Sequence, residues 1–140
     1  MTFVVVDDDE MDRYIARRRL SVFESFGEVY EIESGQDFIR LICDSDGPLA
    51  SPSTPIVVLM DINMPGLDGF ETAEQLRLLV EKGQVPPSVV VMMFSSSENP
   101  HDRERAEQNS IIKGYVVKPI DDAAISALER VIESLGPIVD

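Results

Sequence analysis

Four stretches of this 140-residue chain gather the side chains that could do chemistry. "VVVDDDE" (4–10) ends in the adjacent carboxylates Asp7, Asp8 and Asp9, and "VVLMDINMPGLDGFE" (57–71) carries Asp61. "MMFSSS" (92–97) ends in Ser95, Ser96 and Ser97, and "GYVVKPI" (114–120) delivers Lys118. Carboxylates converging from two separate segments repel one another strongly unless a cation sits between them. A few hard oxygen ligands with room left for water suit Mg²⁺. A lysine and a hydroxyl at the same edge could hold further oxygens of an anion. Together these groups describe a phosphoryl-binding site, and a carboxylate free to attack would become an aspartyl phosphate.

Convergence requires a scaffold. Five short apolar runs recur: "FVVV" (3–6), "EVYEI" (28–32), "IVVLM" (56–60), "VVVMMF" (89–94) and "YVV" (115–117). Continuous rather than alternating hydrophobicity in three of them predicts strands buried on both faces, as in a parallel sheet. Between them lie segments with apolar residues three and four apart. Met11–Ser25 carries Ile15, Ala16, Leu20 and Phe23, and Phe70–Glu81 carries Phe70, Ala73, Leu76 and Val80. Residues 121–135 carry Ile125, Leu128, Ile132 and Leu135, the cleanest stripe, and Gln36–Cys43 forms a shorter helix after a break at Gly35. "NPHDRERAEQNS" has only Ala106 as an apolar residue, so it reads as a short, weakly anchored helix starting near Pro100. The alternation predicts an α/β fold: a doubly wound, five-stranded parallel sheet flanked by five helices. In such sheets the ligand site lies beyond the carboxyl ends of the strands, where Asp7–Asp9, Asp61, Ser95–Ser97 and Lys118 all fall.

Composition narrows the classes. The length suits one domain, residues 1–140, and nothing reads as a linker to an output domain. A net charge of −14 argues against nucleic acid as a partner. No apolar run is long enough to span a membrane, and "MTFVVVDDDE" lacks the basic start of a signal peptide. The single Cys43 excludes an internal disulfide, suits a reducing cytoplasm, and is expected to be a buried small apolar residue. Met1 and the tail "GPIVD" look like natural ends, with a domain cut from a longer protein as the alternative.

"VVVDDDE", "LMDINMPGLDGFE", "FSSS" and "GYVVKPI" resemble, in order and over essentially the whole chain, the successive motifs of the response-regulator receiver domain of two-component signalling, of the stand-alone chemotaxis-regulator type. The resemblance implies a flavodoxin-like fold and a Mg²⁺-dependent phosphoacceptor, not a turnover enzyme. Asp61 would accept the phosphoryl group. Asp8 would bind Mg²⁺ directly and Asp7 through water, with Asp61 itself and the backbone carbonyl of Asn63 completing the protein ligands. Lys118 would pair with phosphoryl oxygens, Ser95 would be the switch hydroxyl, and Tyr115 the aromatic that turns with it. Pro119 would follow a cis peptide bond. The donor would be a phosphohistidine on a histidine kinase or phosphotransfer protein, and the output a protein effector. Ser96 would match the family's usual spacing to the lysine, whereas the length of the strand 89–94 favours Ser95. Asn63 and Ser97 occupy the positions that tune dephosphorylation, where the short, uncharged Ser97 gives little help in aligning water.

Other residues have plainer readings. Asp9 and Glu10 serve the start of the first helix, where negative charge suits the dipole, and Asp68 belongs to a turn between Gly66 and Gly69. His101 is a solvated side chain. Arg13 and Arg17–Arg19 form a solvated helix face, with Arg17 or Arg18 available to a docking partner. Competing functions are a phosphorylation-independent adaptor, which predicts loss of at least one site residue where none is missing, and a small-substrate phosphotransferase or phosphatase with an aspartyl nucleophile. The second typically shows a D-x-D pair, and position 63 is Asn. A flavin or nucleotide binder would want a glycine- or hydroxyl-rich loop after the first strand, where this chain has carboxylates.

Overall fold

A computed structural model of the chain describes residues 2–21, 28–49, 55–85, 87–96 and 99–135. Its elements alternate: β1 (Thr2–Val6), α1 (Glu10–Leu20), β2 (Glu28–Ile32), α2 (Gly35–Cys43), β3 (Ile56–Met60), α3 (Gly69–Glu81), β4 (Val89–Ser95), α4 (Pro100–Glu107), β5 (Ile112–Val117) and α5 (Asp122–Leu135). The strands form one parallel sheet in the order β2-β1-β3-β4-β5. The order reverses direction between β1 and β3, which opens a crevice at their carboxyl ends.

Period-two alternation along the strands divides the core into two layers. Val4, Val6, Val58, Met60 and Val91 face one side with Phe38 and Ile42 of α2, Phe70, Ala73 and Leu76 of α3, and Ala106 of α4. Phe3, Val5, Val57, Leu59, Met92 and Phe94 face the other with Ala16 and Leu20 of α1 and Ile125 and Leu128 of α5. Every residue of β3 and β4 is buried, as their unbroken apolar runs require.

Local chemistry fixes the helix starts. Asp9 caps α1, its carboxylate accepting from the backbone N–H of Met11 at 2.8 Å and of Asp12 at 3.2 Å. Asp68 is more than a turn residue: it caps α3 in a reciprocal box with Glu71, at 2.8 and 3.0 Å. Pro100 opens α4 behind the cap Asn99, as expected of a proline in the first helical turn. Gly35 does not break α2 but begins it.

Several expectations need correction. β5 starts at Ile112, three residues before "YVV", because the register slips between Val91 and Met92 and leaves Lys113 as an extra residue. On α1 the buried stripe is Arg13, Ala16 and Leu20, so Ile15 lies on the flank, 36% exposed. Phe23 and Ser25 lie outside the described residues. Cys43 is exposed, because the stripe of α2 runs through Gly35, Phe38 and Ile42 and turns the last residue outward. Arg13, far from solvated, is only 7% exposed.

Candidate phosphoacceptor site

Asp7 and Asp61 each leave their strand one residue past its end, at the same level. The Asp7 N–H donates to the Ile32 carbonyl at 3.0 Å, and the Asp61 N–H to the Val6 carbonyl at 2.9 Å. Both carboxylates are therefore held by buried strands: Asp7 is fully buried and Asp61 is 6% exposed. Asp8 points to solvent. One carboxylate oxygen from each of Asp7, Asp8 and Asp61 lies within 4.8 Å of the other two.

Lys118 enters from the far side. Its N–H donates to the Ser95 carbonyl at 2.9 Å, and the peptide bond to Pro119 is cis, as the motif implied. The ammonium donates to Asp7 Oδ2 at 2.6 Å and to Asp12 Oδ2 at 2.8 Å, and stands 3.5 Å from Asp61 Oδ1. It also lies 5.1 Å from the centre of the Phe94 ring, a favourable cation–π distance. Asp61 Oδ1 accepts from the Ile62 N–H at 2.9 Å, and Asp7 Oδ1 from the Asp9 N–H at 2.9 Å.

The charges do not balance. Burial and the neighbouring Asp7 charge push the Asp61 carboxyl up to about 6, against the pull of Lys118 and the Ile62 N–H. Burial alone would lower the Lys118 ammonium, but its hydrogen bonds to Asp12 and Asp7 and the Asp61 charge hold it above its ordinary value. A crowded set of hard carboxylate oxygens with a single lysine fits a small divalent cation such as Mg²⁺. Among the described residues it is the only such acidic cluster.

A sequence model of the response regulator receiver domain matches residues 3–129. The chain belongs to the response regulator receiver family. It is 28% identical over 123 residues to protein PilH of Pseudomonas aeruginosa, covering 87% of this chain and 88% of PilH. It is 30% identical over 132 residues to the transcriptional regulatory protein DegU of Brevibacillus brevis, covering 91% of this chain but only 48% of DegU. A response regulator receiver protein of solved structure, from Dyadobacter fermentans, superposes with a TM-score of 0.79 at 27% identity, over 99% of both chains. Receiver domains of response regulators are signalling proteins that receive phosphoryl groups from histidine kinases.

The remaining positions of this receiver domain also have places. Ser95 is the last residue of β4, fully buried and paired in register with Val117, whereas Ser96 is exposed beyond the strand end. Tyr115 is half-buried on β5, with the Arg103 guanidinium of α4 stacked 4.8 Å from its ring centre. Asn63 is exposed two residues past Asp61, and Ser97 lies outside the described residues. His101 is exposed at the start of α4.

Two residues at the site escaped the sequence reading. Asp12 contributes the second carboxylate on Lys118. Arg13 Nη1 donates to the Asp7 carbonyl at 2.6 Å, while its Nε and Nη2 face Glu31 and Glu33 at 3.8 Å. Arg13 thus ties the acidic turn to the end of β2. The available signal was their place in the first turns of the helix that follows the acidic run.

Gly69 explains one glycine of "PGLDGFE". A Cβ there would collide with the backbone carbonyl of Asp61 and come 2.9 Å from Met93 Cε, while the Gly69 N–H donates to the Ile62 carbonyl at 2.8 Å. Neither the backbone nor that hydrogen bond can give way without moving Asp61. Gly69→Ala is expected to lower stability by roughly 1–3 kcal/mol and to weaken Mg²⁺ binding in parallel. Urea unfolding together with a Mg²⁺ titration checks both effects.

Proposed function

We propose that this receiver domain accepts a phosphoryl group on Asp61 from a phosphohistidine donor, with Mg²⁺ as cofactor, and passes the signal on through protein contacts. The observation that carries the reading is the nearly buried Asp61 carboxylate, grouped with Asp7 and Asp8 within 4.8 Å and faced by Lys118 at 3.5 Å. An Asp61 carboxylate oxygen attacks phosphorus, the histidine N–P bond breaks, and the electron pair leaves with the imidazole. Lys118 supplies a fixed positive charge for the phosphoryl oxygens, and the strand ends hold nucleophile and lysine in place before the reaction. Mg²⁺, when bound by Asp7, Asp8, Asp61 and the Asn63 carbonyl, would neutralise charge that develops on the transferred group. Ser95 then moves onto the phosphoryl group and Tyr115 turns inward, reshaping the surface of α4, β5 and α5. α4 suits such a switch, since Ala106 is its one buried residue.

The chain acts as a signalling phosphoacceptor and not on a small substrate, because the position two residues beyond Asp61 is Asn63 rather than a second acid. Its donor is a histidine kinase or a histidine phosphotransfer protein, and its output is a protein effector. No helix among the described residues is long and apolar enough to cross a membrane, and a cytoplasmic location fits a donor of that kind.

An amide NMR titration tests the reading. Mg²⁺ at pH 8 is expected to shift the resonances of Asp7, Asp8, Asp61 and Asn63, and added beryllofluoride to shift Ser95, Tyr115 and α4. Because the free Asp61 carboxyl titrates near 6, a proton competes with Mg²⁺ below that pH. Affinity should fall by about tenfold for each pH unit below it and level off above it. No response to Mg²⁺ and beryllofluoride at pH 8 would favour a phosphorylation-independent adaptor.

A further inference from the structure

Lys118 does not face Asp61 squarely. An ammonium has three N–H donors, and two of them are taken by Asp7 at 2.6 Å and Asp12 at 2.8 Å, leaving Asp61 at 3.5 Å, the outer limit of hydrogen bonding. Asp12 is not one of the three clustered carboxylates, so the acidic site is complete without it. Its position is nonetheless fixed. It lies in the first turn of α1, between the cap Asp9, which accepts its N–H, and Arg13, which is anchored on the Asp7 carbonyl. The Asp12 carboxylate is also partly open to solvent, at 34%, whereas that of Asp7 is fully closed.

A phosphoryl group on Asp61 carries about two negative charges in place of the carboxylate's one, and brings three acceptor oxygens. These oxygens must draw the Lys118 ammonium toward Asp61, and the carboxylate that can release it at least cost is the solvated one. We propose that Asp12 is a positioning residue that holds Lys118 in a resting place and competes with the phosphoryl oxygens for its ammonium. Asp12 thereby weakens the hold of the site on the phosphoryl group. This rests on the reading of Asp61 as phosphoacceptor and Lys118 as its cationic partner.

Asp12→Asn tests it, since the amide keeps the size and one acceptor oxygen but removes the charge. With Mg²⁺ saturating, the variant is expected to bind beryllofluoride roughly threefold to tenfold more tightly than the wild type. In the metal-free protein the side-chain resonances of Lys118 should shift. A merely structural role would weaken binding, not tighten it. In a Lys118→Met background the added Asp12→Asn should leave beryllofluoride affinity unchanged. Unchanged or weaker binding by Asp12→Asn, or tightening that survives without Lys118, would overturn the inference while wild-type binding kept the phosphoacceptor reading intact. Failure of the wild type itself to bind beryllofluoride would overturn both.

Discussion

Asp61→Asn is expected to abolish Mg²⁺-dependent labelling by acetyl phosphate while making the metal-free protein more stable at pH 8. Loss of labelling follows because the amide nitrogen and oxygen are poor nucleophiles toward phosphorus, and no other described carboxylate sits both beside Lys118 and at the end of β3. The gain in stability follows from the crowding of charge. The Asp61 carboxyl titrates near 6 in the folded chain against 3.8 for the free group, so folding favours its neutral form. For an acid shifted upward, the folded state carries no penalty below the unfolded value and the full penalty above the folded one. The shift, in which the pull of Lys118 is already counted, corresponds to about 3 kcal/mol as an upper figure, and burying the Asn amide offsets part of this gain. Asp61→Asn should therefore gain roughly 1–3 kcal/mol at pH 8, with the difference vanishing near pH 3.5. Urea unfolding of both proteins in EDTA at the two pH values measures it. Labelling at an unchanged rate would remove Asp61 as the acceptor, and an equal difference at both pH values would show that charge crowding is not its origin.

The same contrast between strand ends and helix faces separates what the sequence carried from what it did not. β2 and β3 occupy the same residues that their apolar runs marked, and every helix begins within a residue of its expected start. Asp7, Asp61, Ser95 and Lys118 were readable as neighbours because each ends or follows a strand. In a parallel sheet all such positions meet at one edge, whatever the details of packing. The end of β4 also places Ser95 inside and Ser96 outside, a distinction that spacing alone left open. Helix positions need the rotation of the helix on the sheet, which a short stretch of sequence does not contain. For α1 the broad apolar face admitted two rotations, and the structure adopts the one that buries Arg13 instead of Ile15. An arginine on the buried face contradicts ordinary hydrophobic patterning. It is tolerated because its guanidinium meets the Asp7 carbonyl and stands near two glutamates. The same rotation carries Asp12 to Lys118. The start of β5 was hidden for a different reason: a bulge inserts the exposed Lys113, and Gly114 follows it where an apolar residue would have extended the pattern.

Replacement of Lys118 by methionine is the second change with a large expected effect, and it acts on stability in the opposite sense to Asp61→Asn. Methionine keeps an unbranched side chain of similar length and removes the ammonium, together with its place over the Phe94 ring. Asp7, fully buried, then loses its 2.6 Å partner, and Asp61, 6% exposed, loses the nearest cation. Breaking a buried pair by removing one member leaves an uncompensated charge and costs about 3–5 kcal/mol. Here the figure should fall toward the lower end, since Asp12 is partly solvated and Asp61 can take up a proton. Lys118→Met is therefore expected to lose about 3 kcal/mol in EDTA at pH 8, and less near pH 4 where Asp61 is neutral. Mg²⁺ should restore more stability to the variant than to the wild type, because a cation among Asp7, Asp8 and Asp61 answers the same excess of negative charge. Labelling by acetyl phosphate should nevertheless stay low in Mg²⁺, since a restored fold does not replace the donor that faces the phosphoryl oxygens. A variant that regained both stability and labelling with Mg²⁺ would reduce Lys118 to a structural counter-ion. A variant that regained stability alone would divide the work at this edge of the sheet: charge balance shared by cation and lysine, phosphoryl contact left to the lysine.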